Sequence, residues 1–565
     1  MAKQSTITRA YADTWAQRTK DVDRTTNEEV ESWETPAPPR RAIGDASEWS
    51  WETSARPRRA SGYAAEWTPS ALPKRAQQNA RTSYIPADPE TLAPRSVNLD
   101  AWHPHLPPSA SMQEPVRDWS FFGSVTIHRV LVVFYVWFAM LALYFVQGTA
   151  WNSGSIAVAD SPAERLWQSG SLLWLISITS VVPGLIGLMA FRYDNRLDSP
   201  ARITNLICFR IVSRGTNTEA LINTIKRARL EMARTPLLTY MIEVVTDITN
   251  MALPPASDDL RYIVVPADYE TSRRSKYKAR ALHYALDYSP LPDDAWLVHL
   301  DEETHLTSSG VKGIAKMVAE EEASGQHRIG QGAITYHRNW RKHPILTLAE
   351  SVRTGDDLAR FHFQQRLGMT IFGLHGSYIV VRNNVEKRIG FDFGPDGSIT
   401  EDAFWALLAM ADGVRSRWVH GYLEEQSTQS AMDFVKQRRR WFQGLVKVAL
   451  HAPVPGVWRL VLGVNTFLWA LLPFAGIYTI AHMLISFRTD PFTQFLGNLC
   501  FATYIAIYLM GLRVNLLEHG IVSWPKKAGW HIAQLVLIPV FSIMEAVGVI
   551  SAFGGRSTGF HVVKK

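Results

Sequence analysis

An apolar strand pattern runs directly into three acidic residues at Ala295-Trp-Leu-Val-His-Leu-Asp-Glu-Glu-Thr304. Two other short apolar runs, residues 206–212 and 241–245, also end in polar residues, and the second of them is followed by Asp247. Such runs alternate with helical patterns from about residue 203 to 450, which is typical of an open α/β sheet. Because ligands bind beyond the carboxyl ends of the strands in such sheets, we expect functional residues at these run ends.

Length and composition exclude several classes of protein. The chain of 565 residues is longer than one ordinary domain, and its mean hydropathy of -0.07 is the average of unlike parts. The net charge of +7 is modest for this length, so we expect no nucleic acid partner. The two cysteines, Cys208 and Cys500, lie far apart in apolar runs, which excludes a disulfide framework and a cysteine-based zinc site. Any metal must therefore be bound by oxygen or imidazole.

Residues 1–118 are predicted to form a disordered cytosolic tail. They are rich in Pro, Ser, Thr, Ala and paired basic residues, and no apolar stretch that could act as a signal peptide occurs before residue 120. A degenerate unit begins at Trp33, Trp51 and Trp67 and ends each time in two basic residues and an alanine. We interpret these units as linear motifs for a partner or a membrane surface, with drifted low-complexity sequence as the alternative. Ser61 follows two arginines and an alanine and is a candidate kinase site.

Apolar segments on both sides of the α/β block predict a multi-pass membrane protein. Residues 130–147 and 171–191 each approach the roughly 20 residues that a helix needs to cross the hydrocarbon core, and we expect them to form a hairpin. Arginines flank the outer ends of this hairpin, so the positive-inside rule places those ends, and the α/β block after them, in the cytosol. Residues 460–487 and 492–512 are two further predicted spans.

The last apolar run, residues 529–553, is ambiguous. Basic residues lie on both sides of it, including Lys526 and Lys565, and one crossing cannot place both groups in the cytosol. Pro539 and Glu545 inside the run favour a re-entrant or interfacial helix, because an ionisable group at membrane depth is costly. We therefore expect both termini in the cytosol, and the protein in the plasma membrane or the Golgi. The predicted divisions are the tail 1–118, a transmembrane hairpin 119–200, a catalytic domain 201–430, an interfacial helix 431–455, and the membrane helices, re-entrant segment and tail 456–565.

Two acidic clusters can carry chemistry. Asp301 and Glu303 are separated by one residue and can direct oxygens to one Mg²⁺ or Mn²⁺ ion whose other ligands are substrate phosphates. Thr400-Glu-Asp402 opens a predicted helix that Gly413 ends. Capping and the helix dipole explain this second cluster without any function, so its interpretation depends on what lies near it in the fold.

A basic and aromatic cluster follows in a helix predicted at residues 433–450. Gln437, Arg440 and Trp441 stand at positions i, i+3 and i+4 and therefore share one face. Arg438 is expected to point elsewhere. Arginine pairs with diphosphate, an indole offers a flat platform to a sugar ring, and glutamine reaches hydroxyls. An interfacial helix whose arginines meet lipid headgroups is the alternative.

A smaller basic pair, Lys278 and Arg280, begins another predicted helix. Basic side chains at such a position usually form a solvated face, and this is the interpretation that we favour. A contact with substrate phosphate is the alternative.

The clusters, in this order and rough spacing, resemble those of membrane-bound family 2 glycosyltransferases, which include cellulose, chitin and hyaluronan synthases. Within that group the block from about 206 to 450 looks most like the Egghead type of β-mannosyltransferase, through His299-Leu-Asp-Glu-Glu-Thr304, Gly330-Gln-Gly-Ala-Ile-Thr-Tyr336 and Gly376-Ser-Tyr378. The resemblance covers nearly half of the chain and does not reach the tail. It implies an α/β, GT-A-like (Rossmann-like) cytosolic catalytic domain inserted between transmembrane helices.

The resemblance also implies a role for each matching residue. Asp247 would contact the nucleotide base, Asp301 and Glu303 would bind the nucleotide and a metal, Asp402 beside Glu401 would be the general base, and Gln437, Arg440 and Trp441 would line the diphosphate and acceptor site. Two positions depart from the family pattern. Glu303 replaces the usual second aspartate of an Asp-x-Asp motif. Val563 stands where the gating segment of cellulose synthases has a threonine.

The function predicted from this resemblance is inverting transfer of a sugar from a nucleotide sugar to a growing polysaccharide. The product would pass through the protein's own helices to the cell surface or wall, and Mg²⁺ or Mn²⁺ would be the cofactor. The alternative is non-processive transfer of one sugar, mannose from GDP-mannose, to a glycolipid. A more remote alternative is an inactive membrane scaffold whose tail recruits partners. The donor stays open among UDP-glucose, UDP-N-acetylglucosamine, UDP-glucuronate and GDP-mannose, because pocket shape decides it.

Overall fold

The computed structural model describes residues 127–147, 172–192, 202–247, 253–338, 340–484, 491–521 and 523–553, and four positions between 161 and 169. All of these residues belong to one structural unit, Leu72–Lys565. The tail predicted for residues 1–118, with its repeats and Ser61, lies outside the described residues, and so does the segment 560–565.

A seven-stranded mixed sheet forms the centre of the catalytic block. Its strands are β1 (Leu206–Ser213), β2 (Thr239–Thr246), β3 (Leu260–Val264), β4 (Trp296–Asp301), β5 (Ile329–Thr335), β6 (Ile379–Arg382) and β7 (Ser416–Glu424). They are ordered β3-β2-β1-β4-β6-β5-β7, and β6 runs antiparallel to both of its neighbours. The sheet confirms the predicted α/β class, and the three predicted strands agree with β1, β2 and β4 to within two residues at each end.

The register of the parallel strands brings three polar strand ends together. Ser213 at the end of β1 pairs with Thr246 of β2, and Val212 pairs with Asp301 of β4. Asp247 therefore follows a strand on one side of β1, while Asp301 ends the strand on its other side. This is the edge at which the apolar runs predicted a ligand site.

The helices of the described residues are numbered in chain order. They are α1 (Ile127–Gln147), α2 (Leu172–Ala190), α3 (Thr218–Arg234), α4 (Tyr277–Tyr288), α5 (Ser308–Ser324), α6 (Pro344–Ala349), α7 (Ser351–Asp356), α8 (His362–Arg366), α9 (Asn383–Ile389), α10 (Gly394–Gly397), α11 (Glu401–Ala411), α12 (Ala431–His451), α13 (Gly456–Leu484), α14 (Pro491–Glu518) and α15 (Trp524–Phe553). A π-helical turn, Asp357–Phe361, joins α7 to α8. One apolar face of the sheet packs against α3 and α5, and the other packs against α4, α9, α11 and α12. Both cysteines are buried, and neither forms a disulfide.

Apolar helices flank the catalytic block. Within the described residues, α1, α14 and α15 contain stretches that are long and apolar enough to cross a membrane, at Ile127–Phe145, Phe492–Glu518 and Trp524–Phe553. Shorter apolar stretches lie in α2, at Ser177–Ala190, and in α13, at Gly456–Leu471. The chain is thus a membrane protein with its catalytic block between apolar helices. The side of the membrane on which each terminus lies, and the compartment, stay predictions.

The last apolar run, residues 529–553, lies in one helix. Helix α15 is continuous over 30 residues, with Pro539 inside it, and such a helix is about 45 Å long. Whether it crosses the membrane, re-enters it or lies at the interface stays a prediction, which rested on the flanking basic residues, on Pro539 and on the cost of burying an ionised Glu545. In the structure its carboxylate accepts a hydrogen bond of 2.6 Å from Arg438 Nε, and both side chains are buried. A paired carboxylate gives no reason for the helix to fold back.

Close backbone packing fuses the catalytic block to the apolar helices. A Cβ atom on Gly511 of α14 would lie 2.0 Å from the Ser351 carbonyl oxygen, and one on Gly355 of α7 would lie 2.1 Å from that of Ile507. Nearby, Asn515 Oδ1 accepts hydrogen bonds from the Tyr336 amide at 3.1 Å and from the Thr354 hydroxyl at 3.0 Å. These two helices therefore approach as closely as glycine permits, which fixes the block against α14.

Candidate active site

A single cavity of about 780 Å³ collects the residues singled out in the sequence. It is lined by Asp247, Asp301, Glu303, Glu401, Asp402, Gln437, Arg440 and Trp441, among others. These residues come from two strand ends and two helices that are distant in the chain. The structure thus brings together every predicted site residue, while the role of each one stays a prediction.

The amino end of α4 supplies two cations to the strand ends. Arg280 Nη1 lies 3.0 Å from Asp247 Oδ1, and Arg280 Nε donates to the Tyr269 carbonyl at 2.8 Å. Lys278 Nζ donates to Asp301 Oδ1 at 2.5 Å and to the Gly376 carbonyl at 2.8 Å. The preferred expectation of a solvated basic face was therefore wrong, because both side chains are held by carboxylates that only the fold brings near.

Lys278 also links the two acidic clusters. Its ammonium lies 3.7 Å from Glu401 Oε1, in addition to its contact with Asp301. Burial opposes the charge of Lys278, but the carboxylates of Asp301 and Glu401 outweigh burial and raise its pKa. Lys278 is therefore charged at neutral pH and partly neutralises a strongly acidic pocket.

The buried carboxylates at the start of α11 have shifted pKa values. Burial, and then the neighbouring Glu401, raise the pKa of Asp402 to about 7, with Lys278 opposing the shift. Burial likewise raises the pKa of Glu401. Asp402 Oδ1 accepts a hydrogen bond of 2.7 Å from the Ala403 amide, which fixes the carboxylate at the helix start. A carboxylate that titrates near neutral pH is suited to general base catalysis.

Capping does not account for this cluster. Thr400 occupies the N-cap position but makes no side-chain cap hydrogen bond, and its buried hydroxyl has no hydrogen-bond partner among the described residues. Its methyl group instead packs against α12, where a Cβ atom on Gly444 would lie 2.5 Å from Thr400 Cγ2. This close approach holds the start of α11 against the helix that carries Gln437, Arg440 and Trp441.

The expected direction of Arg438 was wrong. Its side chain is buried and lines the cavity, where Nη2 lies 3.0 Å from Glu350 Oε2 and Nη1 donates to Gln437 Oε1 at 2.8 Å. The guanidinium carbon also lies 4.7 Å from the ring centroid of Trp441. Helix α12 is enclosed by α15 as well as by α11, so residues beyond its predicted face are buried too. Arg438 orients Gln437 and joins α12 to α15 through Glu545.

Known proteins are similar to this chain over most of its length. A profile described as "Glycosyl transferase family group 2" matches residues 296–515. The chain is 32% identical over 457 residues to "Beta-1,4-mannosyltransferase bre-3" from Caenorhabditis briggsae, covering 77% of this chain and 96% of that protein. It is also 32% identical over 440 residues to "Beta-1,4-mannosyltransferase egh" from Drosophila melanogaster, covering 74% of this chain and 93% of that protein. The chain belongs to the family 2 glycosyltransferases. The protein is thus a hexosyltransferase, and the inactive-scaffold alternative is wrong.

The cavity of this glycosyltransferase is lined by two unlike parts of the molecule. Strand-end residues of the catalytic block, including Asp247 and Arg214, line it. Residues of the apolar helices also line it, among them Trp469 of α13 and Ile507 and Tyr508 of α14. The sequence motifs did not predict the lining from the apolar helices.

Several cavity residues carry no motif and were missed. Arg353 and Asp356 belong to α7, Arg360 lies in the π-helical turn that follows it, and His375 comes from the loop before β6. Arg353 lies 4.6 Å from the ring centroid of Trp441, on the helix that packs against α14. The one signal near them in the sequence is the Gly376-Ser-Tyr378 match, which adjoins His375.

The cavity offers carboxylate oxygens as ligands for a metal ion. Among the described residues no three His, Cys, Asp or Glu side chains lie close enough to hold a metal ion by themselves. Asp301 and Glu303 both line the cavity, although Asp301 Oδ1 also contacts Lys278. Mg²⁺ and Mn²⁺ are usually held by one or two carboxylates together with substrate phosphates, and these two side chains fit that arrangement.

Proposed function

We propose that the protein transfers a single mannose from GDP-mannose to a hydroxyl group of a glycolipid in its own membrane, with inversion to a β linkage. The proposal is supported by the printed names of the relatives, which are β-1,4-mannosyltransferases matched over nearly their whole length. The first expectation from the sequence was polysaccharide synthesis. The proposal instead adopts the alternative, which was transfer of one sugar to a glycolipid.

The observation that carries the proposal is the cavity that reaches both the acidic clusters and the apolar helices. Asp402 lies in the same cavity as Trp469, Tyr504 and Ile507, which belong to α13 and α14. An acceptor anchored in the membrane could therefore present its sugar to Asp402 without leaving the lipid. A soluble acceptor would not require this apolar lining.

The bond changes at the reacting centre assign a role to Asp402. The acceptor hydroxyl oxygen bonds to C1 of the mannose, the bond from C1 to the diphosphate oxygen breaks, and the nucleoside diphosphate leaves with that electron pair. Asp402 takes the proton of the attacking hydroxyl. A positioned base of this kind contributes about 10²- to 10⁴-fold to a rate. Burial, and then the nearby charge of Glu401, keep the pKa of Asp402 high.

The donor binds at the strand ends in this proposal. Asp247 would accept hydrogen bonds from the nucleotide base, and Arg440 would pair with the diphosphate. Asp301 and Glu303 would hold a Mg²⁺ or Mn²⁺ ion, which would neutralise charge on the leaving diphosphate when bound. Trp441 and Gln437 would line the space between donor and acceptor.

The test uses the purified full-length protein in detergent. It is incubated with each labelled nucleotide sugar in turn, together with a monohexosyl ceramide or a monohexosyl diacylglycerol, and the lipid products are separated by chromatography. We expect label in a dihexosyl lipid with GDP-mannose, and at least about 100-fold slower labelling with the D402N variant. Label in a high-molecular-weight polymer would overturn the proposal in favour of polysaccharide synthesis.

A further inference from the structure

A polar cluster on the cavity wall contacts α13 and takes no part in the mechanism above. Arg360 Nε donates to Asp356 Oδ1 at 2.6 Å, and Arg360 Nη1 donates to Asn465 Oδ1 of α13 at 2.7 Å. All three side chains line the cavity. The cluster thus joins the catalytic block to α13 at the cavity wall.

Apolar groups of α2 and α14 lie beside this cluster, and the Ser180 hydroxyl of α2 donates to Asn465 Oδ1 at 3.4 Å. The stem of Arg360 packs near Gly184 of α2, since a Cβ atom there would lie 3.8 Å from Arg360 Cγ and 3.7 Å from Ile507 of α14. The Arg360 guanidinium lies 5.8 Å from the ring centroid of Phe372. Ionised groups beside apolar helices are costly and usually serve binding or transport, so this placement suggests a function.

The backbone that carries Asp356 and Arg360 is irregular. Asp356 ends α7, and Arg360 lies in the π-helical turn Asp357–Phe361 that follows. Turns of this type inside helices occur frequently at functional sites. The two side chains keep 20% and 18% of their surface exposed, although they are surrounded by the protein. Their polar atoms can therefore meet a bound ligand.

We propose that Asp356, Arg360 and Asn465 form the subsite that binds the sugar of the membrane-anchored acceptor, an inference that rests on the function proposed above. The strand-end part of the cavity is assigned to the donor, which leaves the end beside α13 and α14 for the acceptor. A carboxylate accepts hydrogen bonds from sugar hydroxyls, while a guanidinium and an amide donate to their oxygens. These are the groups that recognise a hexose.

The subsite would select acceptors by their hydroxyl groups. A site built to hydrogen-bond a hydroxyl rejects an analogue that lacks it, because its own buried polar groups are then left unpaired. The three residues would thus position the acceptor sugar so that one of its hydroxyls reaches Asp402. They touch no reacting atom and act by positioning.

The test measures acceptor and donor KM values for D356N in the full-length protein, with GDP-mannose and a monohexosyl lipid in detergent micelles. We expect the acceptor KM to rise about 10- to 100-fold, the usual effect of losing one charged hydrogen bond, and the donor KM to stay within about twofold. The matched control is D259N, which removes a carboxylate that binds Arg229 at 2.7 Å outside the cavity and should leave both KM values unchanged.

Deoxy analogues of the acceptor separate binding from a merely structural role. If Asp356 binds a hydroxyl, the wild-type penalty for removing that hydroxyl should disappear in D356N, because the two changes remove the same contact. Independent, additive penalties would overturn the proposal. Should D356N misfold because Arg360 is left unpaired, the double variant D356N/R360Q removes both charges and serves in its place.

The outcomes also separate this proposal from the one on which it rests. If the wild-type protein elongates the lipid but D356N and D356N/R360Q keep a normal acceptor KM, the subsite is wrong and the proposed function stands. If the wild-type protein transfers no sugar to lipid, the proposed function fails and the subsite falls with it.

Discussion

Replacing Asp402 by asparagine tests the general base with little disturbance of the fold. Asparagine has nearly the same shape, and its amide oxygen can still accept the hydrogen bond that Asp402 Oδ1 receives from the Ala403 amide at 2.7 Å. Asparagine also stabilises a helix start about as well as aspartate. The change therefore removes the proton acceptor and leaves the local structure in place.

The expected loss follows from the role of the base. We expect kcat of D402N to fall about 10²- to 10⁴-fold while the donor KM stays near the wild-type value, because Asp402 does not bind the nucleotide. The wild-type rate should rise with pH through about 7, the pKa to which burial raises Asp402, since the base acts only when ionised. The residual rate of D402N should lack this step.

Stability provides an independent check on the same carboxyl group. The folded pKa of about 7 lies above the ordinary value of 3.8, so the folded protein holds a proton that the unfolded chain releases between these values. The bound proton stabilises the folded state fully below about pH 4, and this stabilisation is lost as the pH rises through about 7. At about pH 8, D402N should therefore unfold at a temperature at least as high as the wild type.

The assay is a rate measurement with labelled GDP-mannose over a series of pH values, together with thermal unfolding of both proteins. The control is D412N at the other end of α11, where the partly exposed carboxylate pairs with Arg388 at 2.8 Å. D412N should retain the wild-type rate. Turnover of D402N within about tenfold of the wild type would refute the assignment of Asp402 as the base.

Three further predictions follow from other parts of the molecule. Exhaustive chelation should stop transfer, and Mg²⁺ or Mn²⁺ should restore it, because Asp301 and Glu303 fit a cation shared with the diphosphate; full activity in chelator would refute this pairing. G511A should destabilise the protein by about 1–3 kcal/mol, since its Cβ would lie 2.0 Å from the Ser351 carbonyl oxygen, whereas G529A, with open space around it inside helix α15, should not lower the melting temperature. Deleting residues 1 to about 110 should leave turnover in detergent near normal and alter location or control in cells; loss of turnover would mean that the tail belongs to the fold.

The strand ends and motifs were predictable because they depend on local pattern. Residues after an apolar strand must lie at the carboxyl edge of the sheet, so Asp247 and Asp301 could be placed before the structure was known. The i, i+3 and i+4 spacing likewise placed Arg440 and Trp441 on one helix face.

The other residues could not be predicted because their positions depend on distant partners. From the sequence alone Lys278 is expected to be a solvated cation, because only the fold brings Asp301 and Glu401 close to it. From the sequence alone Glu545 disfavours a membrane-spanning helix, because its partner Arg438 lies on a different helix. No periodic pattern marks an interrupted helix, which is why Asp356 and Arg360 were missed.

The central claim is that one hexose passes to an acceptor held in the membrane beside Asp402. The most direct measurement is mass spectrometry of the lipid extracted after the purified protein has acted on GDP-mannose and a monohexosyl lipid, with D402N as the control. The account predicts a lipid heavier by one hexose, which D402N forms at least about 100-fold more slowly than the wild type. A series of lipids carrying many added hexoses, or sugar recovered as lipid-free polymer, would contradict it.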